Sequence, residues 1–223
     1  MSTTPQTAPG RDSTFRHLVT SVLFTIVTVI ALGLIYPLVI WGLGTLLFHH
    51  QAEGSLISGA NGTVIGSELV GQNFTKPQYF QGRPSAAGKG YDPTSTGGTN
   101  FGPTSKKLID GTKSAIAALK KANPDAAGPI PMDLVTSSAS GIDPDISPEG
   151  AYYQAPRVAK ARAMSLDSLN AIVAAHVTPR QFGLLGEPRV NVLELNRALD
   201  AQGVSTMSTG KYHYVALGAS YYL

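Results

Sequence analysis

Side chains able to support covalent or metal chemistry concentrate in one stretch, TSSASGIDPDISPEG, which holds Ser137, Ser138, Ser140, Asp143, Asp145, Ser147 and Glu149. A serine nucleophile needs a base within hydrogen-bond reach and a third group to orient that base. The candidate bases are His49, His50, His176 and His213. The first two directly follow an apolar run. His176 ends a helical pattern, where a protonated imidazole is favourable against the helix dipole without any catalytic duty. A hydrolase would require the fold to bring His176 or His213 to Ser138. The alternation of Asp143, Asp145, Ser147 and Glu149 offers oxygen ligands to a hard cation, but Pro144 and Pro148 break a calcium-loop register and favour rigid turns and a helix cap. Neither GxxxxGK[ST] nor GxGxxG occurs, and Gly97-Gly98 with Asn100, Gly102 and Thr104 is a generic glycine-rich loop. These patterns assign no catalytic, cofactor-binding or metal-ligating residue.

The element that positions everything else is an uncharged run, Leu18 through Phe48, of about 31 residues. A helix rising about 1.5 Å per residue needs roughly 20 to cross a hydrocarbon core. A cleaved signal has an apolar region of only about 7 to 15 residues, whereas this run continues through Tyr36, Pro37 and Trp41 to Phe48. A retained membrane anchor is therefore expected. A buried helix of a soluble core would not need this length or this all-round apolarity. Arg11, Arg16 and His17 precede the run, and no Lys or Arg follows until Lys76. That bias predicts a cytoplasmic N-terminus and an outer domain. Pro37 is expected to kink the span, and Gly33, Gly42 and Gly44 suit close approach to a neighbouring helix or are simply the glycines that membrane helices tolerate.

The expected organisation is a cytoplasmic tail at 1–17, a transmembrane helix at 18–48 and one extracytoplasmic α+β domain at 49–223, its last part a C-terminal extension. The predicted elements of the domain begin with a turn at 58–62 and a short strand at 63–69. An irregular Gly/Pro-rich segment follows at 72–103, carrying Phe74, Tyr79, Phe80, Tyr91 and Phe101. Those aromatics either pack on the domain itself or anchor a partner. A helix is predicted over 104–121 from the spacing of Leu108, Ile109, Ile116 and Leu119, stopped by Asn123-Pro124. A short strand is predicted at 132–136. Ser147-Pro148 starts a helix running to Met164, and Ser165 caps another over 166–175. Thr178-Pro179-Arg180-Gln181 resembles a capping box, and Asn191 with Glu194 caps a last helix toward Gly203. Lys211 to Leu217 reads as a terminal strand.

The formal charge of +3 comes from interspersed residues with no basic stripe, so nucleic acid is not an expected partner. With 0 cysteines, an outer domain must hold together through its core or by docking, without disulfides or a lipidated cysteine. Asn61-Gly62-Thr63 and Asn73-Phe74-Thr75 match a glycosylation pattern that matters only in a eukaryotic secretory pathway.

Several long blocks carry a family resemblance. They are Gly71-Gln72-Asn73-Phe74 with Pro77, Tyr79 and Phe80; Arg83-Pro84-Ser85-Ala86; and Gly97-Gly98-Thr99-Asn100 with Gly102-Pro103-Thr104. Further along come Asp133 to Thr136 leading into Ser140-Gly141-Ile142-Asp143-Pro144 and Ile146-Ser147-Pro148, then Gln154 with Arg157, Ala161 and Arg162, and finally Gly186 to Asn196. In this order they resemble the C subunits of bacterial high-affinity potassium-transporting ATPases, the KdpC family of the Kdp complex, from the membrane helix almost to Leu199. The resemblance implies a non-catalytic accessory subunit of an ATP-driven potassium uptake complex in the bacterial inner membrane. It implies as partners a channel-like potassium-translocating A subunit, a P-type ATPase B subunit, a small F subunit and membrane lipid. ATP and potassium would be handled by the complex, with no cofactor bound directly. The family's association with ATP and nucleotide binding fits poorly with a domain placed outside. The segment after Leu199 extends past the family pattern, so no role transfers to Lys211, His213 or Tyr221. The competing class is an independent membrane-anchored extracytoplasmic binding protein.

Overall fold

The structure, a computed structural model, describes residues 14–59 and 61–203. The chain divides after Glu53 into two compact units, each taken separately.

The first unit is a continuous helix, Thr14–Leu47, 34 residues long with a mean hydropathy of 2.6 over its most apolar window and nothing in that window buried by the chain itself. It comprises α1 (Thr14–Thr28), a π-helical segment (Val29–Ile35) and α2 (Tyr36–Leu47). At about 1.5 Å per residue this is roughly 50 Å, more than a hydrocarbon core requires. The disturbance expected from Pro37 takes the form of the wider π turns that lead up to it. Proline has no N–H to give and its ring crowds the carbonyl four residues back, and a segment of i→i+5 bonds absorbs both problems. Two hydroxyls inside the helix are satisfied locally: Thr28 Oγ1 donates to Phe24 O at 2.7 Å and Thr45 Oγ1 to Trp41 O at 2.8 Å. After Phe48 leaves helical geometry, a short α3 (His49–Ala52) ends the unit.

The second unit is α+β, as the sequence predicts. It opens with an antiparallel hairpin, β1 (Leu56–Ser58) and β2 (Val64–Ser67), in which Ile57 faces Gly66. The turn between them closes through Gly59 N–H to Thr63 O at 2.8 Å. α4 (Lys106–Ala122) contains no fully buried residue, because its lysines ring one side and only one stripe rests on the domain. α5 (Pro148–Arg162), α6 (Leu166–Ala175) and α7 (Val192–Gly203) surround a small antiparallel sheet with the order β3 (Asp145–Ile146), β5 (Arg189–Asn191), β4 (Val177–Thr178). Val158, Leu169, Val173, Val190, Leu195 and Leu199 form the heart of the core, each no more than 1% exposed. The predicted caps are present: Ser147 Oγ accepts from Gly150 N–H at 2.9 Å, Ser165 Oγ from Ser168 N–H at 3.2 Å, and Asn191 Oδ1 from Glu194 N–H at 3.1 Å.

Two predicted elements are replaced. The strand expected at 132–136 is a 3-10 turn, Met132–Leu134, where Leu134 N–H donates to Pro131 O and Val135 N–H to Met132 O. Asp133 is drawn away to receive Ser147 N–H at 2.7 Å, which a strand in that place would not permit. The helix expected after Thr178 is absent because Val177–Thr178 pairs with β5, and Gly183 and Gly186 at φ +73° and +76° leave helical space just beyond. The predicted strand at 211–217 lies outside the described residues.

Candidate functional site

The polar cluster between positions 137 and 149 is spent on architecture. Ser138 Oγ accepts from Gly141 N–H at 2.9 Å and lies 3.3 Å from Ser140 Oγ. His176 turns back on its own helix, with Nδ1 donating to Ile172 O at 2.8 Å. Each side chain of the imagined nucleophile and base is thus engaged with its own neighbours, and His213 lies outside the described residues. The acidic series is divided in the same way. Asp143 pairs with Arg83 at 3.0 Å and Asp145 with Arg189 at 2.9 Å, Ser147 donates to Asp133 Oδ1 at 3.1 Å, and Glu149 is exposed. Burial, reinforced by Asp143 and Glu194, lifts the Asp145 carboxyl above its usual range despite the arginine beside it. Among the described residues no group of three or more His, Cys, Asp or Glu side chains is arranged to hold a metal ion.

The irregular segment is where the structure concentrates its polar bonds. Lacking a strand or helix of its own, it must satisfy its backbone through side chains brought from elsewhere. Asn196 on α7, 1% exposed, acts like a short strand partner: its Oδ1 accepts from Phe80 N–H at 2.8 Å and its Nδ2 donates to Phe80 O at 2.9 Å. Gln154 on α5, 0% exposed, repeats the device one residue on, accepting from Gln81 N–H at 2.8 Å and donating to Gln81 O at 3.0 Å. Arg157 donates to Asn123 Oδ1 at 2.8 Å, to Gln154 Oε1 at 2.8 Å, to Tyr79 O at 3.0 Å and to Pro77 O. Arg162 donates to Gln78 O at 2.7 Å and to Asp200 at 2.8 Å, with its guanidinium 5.1 Å from the centre of the Tyr79 ring. Asp200 also receives the Tyr79 hydroxyl at 3.1 Å. Burial first, then Asp200, raises the Tyr79 phenol.

Gly71, just before the segment, and the stretch from Arg83 to Gly97 are tied to the polar cluster. Gly71 N–H donates to Ile142 O and Gly97 N–H to Ser140 O, both at 2.8 Å. Ser85 Oγ donates to Gly141 O at 2.6 Å and accepts from Tyr91 N–H at 2.7 Å, while the Tyr91 hydroxyl donates to Arg83 O at 2.6 Å. Burial, with Asp143 adding to it, pushes the Tyr91 phenol up to about 12. Gly71 must be glycine, because a Cβ there would come within 2.6 Å of Asp143 O. The aromatics therefore mostly serve the domain itself: Phe80 is fully buried, Tyr91 nearly so, and Phe74 stacks tilted on Tyr79 at 5.5 Å. Phe101 stays 42% exposed.

Between this segment and α4 lies a cleft of about 750 Å³ lined by Phe74, Arg83, Lys89, Tyr91, Ala118 and Leu119, among others. Gln154, Arg157 and Asn196 carry no role in a reading from sequence. Their signal is a polar residue on the apolar face of a helix, as Asn196 stands between Val192, Leu195 and Leu199.

Comparison with known proteins adds a match over most of the chain. The family model described as "KdpC: K+-transporting ATPase, c chain" matches residues 18–201. A Koribacter versatilis protein is 53% identical over 195 residues, covering 87% of this chain and 98% of its own length. Counterparts from Acidobacterium capsulatum (54% over 184 residues, 82% of this chain and 97% of theirs) and Myxococcus xanthus (51% over 186 residues, 83% and 88%) agree. All three are named potassium-transporting ATPase KdpC subunits.

Proposed function

The chain belongs to the KdpC family of potassium-transporting ATPase c chains, and from that premise we propose that it is a non-catalytic subunit that assembles a high-affinity, ATP-driven potassium uptake complex. The observation that carries the reading is the extent of the match: it takes in the membrane-length helix and the domain together, from 18 to 201. In this reading Thr14–Leu47 spans the bacterial inner membrane with its N-terminus in the cytoplasm, as the basic residues Arg11 and Arg16 favour. The outer domain caps a channel-like A subunit, and the helix packs against membrane partners. A P-type ATPase B subunit carries ATP hydrolysis and nucleotide binding on the other side of the membrane, and a small F subunit completes the assembly.

The geometry supports a scaffold role. A domain whose serine, aspartate, asparagine, glutamine and arginine side chains are engaged in holding an irregular segment has a surface of fixed shape to offer a partner. It gains no reactive constellation from them. Deleting the chain from cells that depend on the complex tests this. Growth at low external potassium should fail, and the A and B subunits should no longer be recovered together from the membrane. Normal growth and an intact complex without the chain would refute the role.

A further inference from the structure

One turn of the domain is built in a way its own fold does not use. Gln181 and Leu185 exchange both backbone bonds at 2.9 Å, and Leu184 N–H donates to Gln181 O at 3.2 Å. Phe182 and Gly183 sit at φ +55° and +73°, the left-handed pair of a type I′ hairpin turn. Glycine is at home there. Phenylalanine is not, because its Cβ crowds the following carbonyl, and bulky residues at positive φ are outliers. The strain does not hide the ring: Phe182 is 89% exposed, Leu184 76% and Leu185 55%. Arg180 and Glu187 close the stem as an ion pair.

Strain of this kind persists where a conformation is used, and the chemistry of the turn selects its user. A bilayer surface recruits apolar tips through uncompensated Lys or Arg, and through Trp or Tyr at headgroup depth. Here Arg180 is paired with Glu187 and Arg189 with Asp145, and no Lys, Trp or Tyr occurs between 178 and 190. Fluid lipid would also accept the ring in any backbone conformation, so a fixed turn gains nothing there. A second copy of the chain would have to supply a hole elsewhere on the same surface, and such a head-to-tail contact propagates unless it closes as a ring. A rigid aromatic knob with a charge-balanced rim fits a shaped apolar pocket on a different protein, where a preorganised anchor loses little entropy on docking.

We propose that Phe182, Leu184 and Leu185 form the anchor by which this domain docks into an apolar pocket on another chain of the potassium-transporting complex. The inference rests on the complex membership proposed above and adds the surface that makes the contact.

The test uses the full chain co-expressed with the other subunits. A benzophenone amino acid in place of Phe182, activated in native membranes, should cross-link to an apolar segment of another subunit. Phe182→Gly combined with Leu184→Ser should lower the fraction of this chain retained with the complex by about tenfold or more. Its melting temperature should stay unchanged or rise, since glycine relieves the left-handed strain. Adducts only with lipid or with a second copy, or a retained fraction equal to that of the natural chain, would overturn the anchor while leaving the complex reading intact. Loss of retention together with a lower melting temperature would assign the turn a structural role and overturn it too. If the natural chain is itself recovered alone, both the complex reading and the anchor fall.

Discussion

Arg157 gives the sharpest test of how the irregular segment is held. Its side chain is 9% exposed, burial lowers its pKa, and its four bonds all go to neutral oxygens, on Asn123, Gln154, Pro77 and Tyr79. Replacing a buried ion pair by hydrophobes is often neutral because both charges leave together. Here Arg157→Met keeps most of the volume, but the carbonyls of Pro77 and Tyr79 are backbone and stay behind. Each buried acceptor left unpaired costs about 1–3 kcal/mol. Two carbonyls and the Asn123 amide, offset by no longer desolvating a guanidinium, leave a net loss of about 2–4 kcal/mol. At roughly 2–4 °C per kcal/mol for a domain of this size, the midpoint should fall by about 5–15 °C. Arg157→Lys should recover only part of this, since one ammonium cannot span the same oxygens. Scanning calorimetry of the full chain in detergent reads the midpoint, and amide exchange at Phe80 and Gln81 reads the segment. A midpoint within about 2 °C of the natural chain, with unchanged protection at those amides, would refute the reasoning.

Three further outcomes follow from other parts of the chain. Because the folded Tyr91 phenol lies at about 12 and an unfolded one near 10, the unfolded chain releases its proton first. Tyr91 therefore contributes fully below about pH 10 and loses roughly 2–3 kcal/mol as pH climbs toward 12. The stability gap between the natural chain and Tyr91→Phe should close over that window, and parallel curves would contradict it. Pro37→Ala restores the N–H that the π segment works around, so single cysteines placed along 38–47 should change the phase of their labelling by about 100° relative to those before 28. An unchanged phase would count against proline as the cause. Glu149→Gln should shift the apparent potassium affinity of the complex by less than about twofold, since an exposed lone carboxylate is well screened and Asp143 and Asp145 are matched by arginines. A tenfold shift would instead give this cluster a part in gathering cations.

Local signals with local consequences were legible in the sequence. Ser147-Pro148, Ser165 and Asn191 satisfy amides three positions on, so their caps need nothing from the rest of the fold. The membrane helix is read from its own length and apolarity. The failures share one cause, a competing partner far along the chain. Met132, Leu134 and Val135 look like a strand, but Asp133 finds Ser147 and fixes a helical turn. Thr178 to Gln181 has the residues of a capping box, yet the edge of β5 takes Val177–Thr178 into the sheet. Gln154 and Asn196 bond to the backbone of Gln81 and Phe80, 73 and 116 positions away, and no periodicity carries that information. For the aromatics of 72–103 the sequence left packing on the domain and anchoring a partner both open, and which of them is buried depends on those same distant partners.

The central claim is that this chain works as an assembled subunit, and recovery from the membrane tests it most directly. Tagged at its own terminus and extracted in mild detergent from cells expressing the whole transporter, the chain should elute in fixed ratio with a multi-span channel-like subunit and a P-type ATPase. Elution of the chain alone, while those two subunits remain associated with each other and active, would contradict it.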